Sequence, residues 1–465
     1  MTTDTKRMKT KTLDAVLPTA PTDGRVTLSR RLALLLPLAV AGCGLQDMDF
    51  FASDKPPVPG VRIPVRRTDR GLVVDNPRNL KVVLPPPSVR ADWPQAGGLP
   101  THEMGHAQVA DKLAQVWSAD IGTGGGYRRK ITAQPVVSGG RVYVMDSEAV
   151  VSAFDAMKGK ALWQFETRTK DDRGFNVGGG LSVDGGVLYA TTGRGDMAAL
   201  DVVTGKPLWQ ARLDGAARAA ATVAEGLLFV PILGNRLVAY SITDGKRVWA
   251  FKGLDAQTEV LGLPSPAYAD GILVAGFGSG ELVALRAATG AVIWSDSLAS
   301  AGGRNSPAEL SAIRGMPVIQ DGRVYAVGMG RLMVALDLRS GRRLWEREIA
   351  SDETPCVAGD WIFVLSTDSQ VGAISRIDGS VAWLTQLQTF GNMEKRKDPI
   401  HWMGPTLASD RLIVASSVKT ALAISPYTGE VLGEQKLSGA VSVPPVVAMN
   451  TVFIVTDDAT LVALR

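Results

Sequence analysis

Leu200-Asp201-Val202-Val203-Thr204-Gly205-Lys206-Pro207-Leu208-Trp209 decides the fold, because the chain repeats this pattern: an apolar residue, a short turn with Gly, an apolar residue and Trp. The same unit runs from Phe154 through Gly159 to Trp163, from Tyr240 through Gly245 to Trp249, and from Leu285 through Gly290 to Trp294. It returns from Leu336 through Gly341 to Trp345, from Ile374 through Gly379 to Trp383, and from Ile424 through Gly429 to Leu432-Gly433. The seven turn glycines are spaced by 46, 40, 45, 51, 38 and 50 residues, the period of a four-stranded propeller blade.

Each unit also opens alike, as in Val136-Val137-Ser138-Gly139-Gly140-Arg141-Val142-Tyr143 and Val318-Ile319-Gln320-Asp321-Gly322-Arg323-Val324-Tyr325. Gly-Gly or Asp-Gly between alternating apolar residues marks a hairpin, since Gly reaches the positive φ that the turn needs. Three strands and two turns therefore precede each Trp strand. The last unit, 441–464, lacks a Trp strand of its own, while Gln115-Val116-Trp117-Ser118 is a Trp strand without a blade. Trp117 lies 46 residues before Trp163, in register with the repeat. The expected fold is all-β: an eight-bladed propeller over 115–465 whose first strand completes the last blade and removes an open edge. Each Trp is expected to pack between neighbouring blades, and Gly433 marks the one seam without it.

Fifty Gly, twenty-six Pro and 45% apolar residues suit many short strands joined by tight turns. The net charge of +4 sits in the first 42 residues, which hold seven Lys/Arg and three acids, leaving 43 basic against 43 acidic residues beyond them. The repeat region therefore has no global electrostatic reason to bind nucleic acid. Glu394-Lys395-Arg396-Lys397 reads as a solvated charge run.

Arg30-Arg31 precedes an apolar run from Leu32 to Ala41, short for a permanent span but right for a signal peptide. The run ends Leu38-Ala39-Val40-Ala41-Gly42-Cys43, which resembles a bacterial lipobox. The expected order is a signal peptide with an N-terminal extension (1–42), a lipidated Cys43 with a Pro-rich tether (43–114), and the propeller (115–465). Gly44, rather than Asp, follows the cysteine, and the resemblance then implies lipid anchoring at the periplasmic face of the outer membrane. Ser29-Arg30-Arg31-Leu32 half-resembles a twin-arginine signal with Ala33 out of pattern, so the export route stays open. With Cys43 lipidated, Cys356 remains alone and no intrachain disulfide is available.

The repeated unit resembles that of pyrroloquinoline-quinone-type propellers. Joined to the lipobox, it resembles the BamB family of lipoproteins in the β-barrel assembly machine. That resemblance implies a non-catalytic scaffold that docks on the periplasmic domains of the barrel protein BamA and assists insertion of outer-membrane proteins, with unfolded outer-membrane proteins as further candidate clients. In that family the BamA contacts come from loops before the fourth and fifth blades, which by position fall at 258–263 and 311–315. The implied contacts are Thr258, Val260, Leu261, Ala312 and Arg314. The sequence departs from the family there: Leu261 replaces an Arg, and Ala312 and Arg314 replace two acidic residues. Repeat spacing points to the same side, because the two longest repeats place their extra length at 295–315 and 384–404, and long loops on a rigid ring suit partner binding.

Enzymatic readings lack a site. A quinoprotein dehydrogenase, the main alternative, needs a calcium site beside the quinone and typically a vicinal Cys pair. His102-Glu103-Met104-Gly105-His106 spells the zinc-protease pattern, but Gly and Pro around it disfavour the helix that would align both histidines, and only His401 remains as a third. The expectation is no catalytic residue, no metal and no cofactor. The runs at 124–126 and 178–180 lack the context of a phosphate loop and read as turns beside inner strands.

Overall fold

The computed structural model describes residues 72–75, 80–126, 129–168, 176–256, 262–299 and 311–465. Contacts divide the chain into Met1–Arg66 and Arg67–Arg465, and every described residue belongs to the second unit. Cys43 and the expected signal peptide lie outside the described residues.

The described residues form eight four-stranded antiparallel sheets and one two-stranded hairpin. Blades 1 to 7 span 136–166, 179–212, 222–252, 267–297, 318–347, 356–386 and 402–436. Blade 8 takes three strands from 446–464 and its fourth from Gln115–Asp120, which pairs antiparallel with Thr460–Leu464. The ring of eight with an N-terminal closing strand is the expected arrangement.

Sequence dictates where each strand sits. Second and third strands, such as Leu227–Ile232 and Arg236–Ser241, are near-continuous apolar runs buried on both faces between neighbouring blades. Fourth strands, such as Arg247–Lys252, expose alternate residues and turn the Trp inward. The short first strands contact the first strands of neighbouring blades and so line the centre.

The seams obey one rule. A Trp on the fourth strand of every blade but the seventh covers the turn glycine of the next blade: Trp117 covers Gly159, Trp163 covers Gly205, and so on to Trp383 over Gly429. Six of these indoles donate Nε1–H to a carbonyl of that next blade, at 2.7 to 3.1 Å. Space for the ring comes from an alanine directly across the sheet, as in Ala153 opposite Trp163, Ala239 opposite Trp249 and Ala463 opposite Trp117. The Asp of the repeat builds the turn: Asp201 Oδ1 accepts the Thr204 hydroxyl and the Thr204 and Val203 N–H groups, which together hold its carboxyl below the usual range. Stability thus comes from repeated apolar seams. Cys356 is buried, and its thiol is pushed up to about 12 by desolvation.

The lead-in before the propeller is part of the packed structure. In blades 1 to 7 the turns between first and second strands and between third and fourth strands share one end of the ring, and in blade 8 the turn between first and second strands lies at that end. The described lead-in crosses that end and meets all eight blades. Trp93 exchanges backbone bonds with Val137 of blade 1, Pro94 accepts from Val183 of blade 2, and the Gln95 amide bonds Val223 of blade 3 both ways. Pro100 and Thr101 accept from Tyr268 and Ile319 of blades 4 and 5. Pro85 lies against Gly359 of blade 6, Ala107 accepts from Ser409 of blade 7, and Arg90 accepts from Met449 of blade 8. Within the expected 43–114 tether, residues from 80 onward are therefore seated on the propeller.

Candidate partner-binding face

The two ends of the ring differ in what they can offer a partner. The lead-in occupies one end. At the other emerge the connections from each fourth strand to the next blade, including both long ones.

Of the residues implied as partner contacts, Thr258, Val260 and Leu261 lie outside the described residues. Ala312 is 1% exposed, because its loop packs on blade 5, where its carbonyl accepts Met329 N–H at 2.9 Å. Arg314 is at the surface and pairs with Asp352 at 3.0 Å. Between these two neighbours, only Arg314 presents a side chain to solvent. Among the described residues, Arg314 and Asp352 thus form an Arg–Asp pair bridging two blade connections.

Behind that pair lies a residue that sequence reasoning did not single out. Glu353 is buried, and its Oε2 accepts the N–H of Gly404 at 3.0 Å. It ties the connection before blade 6 to the start of blade 7. Desolvation pushes its carboxyl up to about 8, helped by neighbouring Asp352 and opposed by the Gly404 N–H and Arg314. Nothing in the local sequence distinguishes Glu353 from a surface acid.

The second long connection folds as a small hairpin, Phe390–Asn392 with Lys397–Pro399. Met393, Glu394, Lys395, Arg396 and Lys397 all stand exposed on it. It is a projecting arm with a mixed surface on the same end as Arg314.

The histidines of the metal-like motif are structural. His102 is buried and its Nδ1–H donates to the Pro317 carbonyl at 2.8 Å; burial lowers its pKa to about 4. His106 Nδ1–H donates to Pro85 at 2.7 Å, and its Nε2 accepts Asp410 N–H at 2.9 Å. Each ring pins the lead-in to a different place. Among the described residues no group of three or more His, Cys, Asp or Glu is placed to hold a metal ion. The glycines of the run at 178–180 do not all form a turn, because Gly179 and Gly180 begin the inner strand Gly179–Asp184.

The family model described as outer membrane protein assembly factor BamB matches residues 90–176, 147–385 and 388–465. The chain belongs to the BamB family. The match begins inside the lead-in, at residue 90, as the packing of that segment on the blades would suggest. The BamB protein of Salmonella typhimurium strain LT2 is 29% identical over 356 residues, 75% of this chain and 88% of that relative. The BamB of Moranella endobia is 24% identical over 355 residues, 72% of this chain and 91% of the relative.

Among solved structures, BamB from Moraxella catarrhalis superposes with a TM-score of 0.64 at 21% identity, covering 76% of this chain and 100% of that one. The quinohemoprotein alcohol dehydrogenase of Comamonas testosteroni superposes with a TM-score of 0.62 at 14% identity, covering 80% of each chain. These likenesses show a shared fold, and a fold alone does not carry a reaction.

Proposed function

We propose that this chain is a scaffold lipoprotein of the outer-membrane β-barrel assembly machine. It works without catalysis, by holding a periplasmic partner against the end of the ring that bears the blade-to-blade connections. The observation that carries this reading is the asymmetry of the ring: one end is covered by the chain's own lead-in, while the other carries the exposed Arg314–Asp352 pair and the projecting hairpin. Its BamB relatives are named as outer membrane protein assembly factors, and that role fits a rigid platform.

The proposed partner is the periplasmic part of a BamA-like barrel protein, and the proposed anchor is lipid on Cys43 at the periplasmic face of the outer membrane. Arg314 and Asp352 are the described groups at the centre of the proposed contact. Charged rims set encounter rate and register more than total affinity.

The test is site-specific photocrosslinking in native membranes with the reactive group at Arg314, at Lys395 on the hairpin, or at Lys206 on a turn of the other end. Capture of the barrel-assembly protein from the first two sites and not from Lys206 is the expected result. Capture from Lys206 alone, or from none of the three, overturns the proposal.

A further inference from the structure

At one position blade 6 departs from the other seven. The third-strand residue just before the alanine that faces the Trp, or Gly433, carries a side chain in those blades, from Ser152 and Ala198 to Val238 and Leu422. In blade 6 it is Gly372. A Cβ built there would stand 3.0 Å from a methyl carbon of Leu72. Leu72 enters this slot and is 3% exposed, packed with Trp345, Val364 and Val381 at the seam between blades 5 and 6. It fills the hole that the glycine leaves.

The blades themselves supply no acid at the same seam. Between blades 4 and 5, Asp296, two residues after Trp294, pairs with Arg343, two residues after Gly341, at 2.7 Å. Between blades 5 and 6 the corresponding residues are Arg347 and Val381, and the carboxylate comes from Asp75. Its Oδ2 accepts an Arg347 Nη2–H and the Val381 N–H, each at 2.8 Å. Its own N–H donates to the Val381 carbonyl at 3.1 Å. Residues 72–75 therefore match this seam twice, by shape and by charge.

Asp75 lies beside Val381, where the fourth strand of blade 6 leaves the lead-in end of the ring. Leu72 lies beside Gly372, whose partner Leu384 is further along that strand toward the other end. From Asp75 back to Leu72 the chain thus climbs the rim toward the end that bears the blade-to-blade connections. We infer that residues 72–75 are a strap that makes the lipid tether leave the ring at that end, beside blades 5 and 6, instead of at the lead-in end. Without the strap the next holds are the buried Val82 and then Pro85, which lies on Gly359 at the lead-in end. Cys43 lies 29 residues before Leu72, and a flexible chain of that length spans roughly 30 Å. That reach is comparable to the depth of the ring, about 20 Å for a six-residue strand, so the strap decides which end is held toward the bilayer. The inference rests on the lipidation proposed for Cys43 and assumes nothing about the protein partner.

The test places cysteine pairs in the full chain in native outer-membrane vesicles. Arg70→Cys, just upstream of the strap, is combined with Asp368→Cys at the connection-bearing end of blade 6 or with Ile377→Cys at its lead-in end, both exposed positions. With the strap intact, the disulfide to position 368 should form at least tenfold faster than that to position 377, because the strap raises the effective concentration at one end. Gly372→Val, which closes the slot with a residue that other blades carry there, and Asp75→Ala should each bring the two rates within threefold. Energy transfer to acceptor lipid from a dye on Asp368→Cys should exceed that from a dye on Ile377→Cys, and the two should converge in Gly372→Val. Equal disulfide rates with the strap intact, a preference unchanged in folded Gly372→Val and Asp75→Ala, or equal energy transfer from the two ends overturns the inference. A chain that washes off the vesicles overturns the anchoring, and the same disulfide comparison in Cys43→Ser keeps that failure apart from failure of the strap.

Discussion

Gly205 lies directly beneath the indole of Trp163: a Cβ built on the glycine would stand 2.5 Å from the ring, and the glycine φ is +69°. The same turn closes by a bond from Gly205 N–H to the Asp201 carbonyl at 2.8 Å. Two constraints, one on backbone conformation and one on space, thus fall on a single atom.

Gly205→Ala should therefore destabilise the propeller by about 1–3 kcal/mol, through overpacking against Trp163 and the cost of a left-handed alanine. Gly433→Ala, at the seam without an indole, should lie within about 0.5 kcal/mol of wild type. Thermal and urea unfolding of the two variants side by side checks the contrast; equal losses would mean that the seam is not set by the Trp.

Gln95 is buried and exchanges two hydrogen bonds with the Val223 backbone, at 3.0 and 2.9 Å. Gln95→Ala leaves both backbone groups buried without that partner and should cost about 2–3 kcal/mol. Hydrogen exchange at the Val223 amide should accelerate and residues 85–109 should become protease-sensitive. An unchanged Val223 amide would show that the lead-in does not depend on this clamp.

The buried carboxyl of Glu353 makes a pH prediction with a definite sign. Its pKa in the folded protein, about 8, lies above the ordinary 4.5, so between those values the folded state holds a proton that the unfolded state has lost. Stability from this group must fall as pH rises from about 4.5 to about 8 and level off above. Glu353→Gln can still accept the Gly404 N–H, and it should flatten the melting temperature across that window and exceed wild type at pH 8. A variant whose pH profile parallels wild type would remove Glu353 as the source.

For the histidine pair, metal analysis of purified protein should find no stoichiometric zinc. His106→Ala should still cost about 1–3 kcal/mol, because Pro85 and Asp410 both lose a partner. Zinc bound one to one and lost in His106→Ala would contradict the structural role.

What could be read from the sequence was whatever is written locally. The turn glycine, the Trp four residues on and the hairpin before them recur within one blade, so blade number and the in-register closing strand at Trp117 follow from spacing. The alanine opposite each Trp was equally present, but its meaning depends on cross-strand pairing. The lead-in clamp was not legible, because its bonds join residues 128 apart (Gln95 and Val223) or 217 apart (Glu103 and Gln320) with no periodicity between them. Ala312 was implied as a partner contact only by its position in the family's loop, and its burial depends on packing against blade 5 that the local sequence does not spell. Glu353 and the open seam at Gly433 depend on packing that only three dimensions reveal, although the missing Trp itself was visible.

The end of the ring that bears Arg314 is the proposed seat of the partner. Calorimetric titration of the full chain with the periplasmic domains of the barrel-assembly protein from the same organism should give saturable binding. Arg314→Glu, which sets a second carboxylate beside Asp352, should weaken it at least tenfold, and Lys206→Glu at the opposite end should leave it unchanged. Absence of binding, or weakening by Lys206→Glu with Arg314→Glu unaffected, would contradict the account.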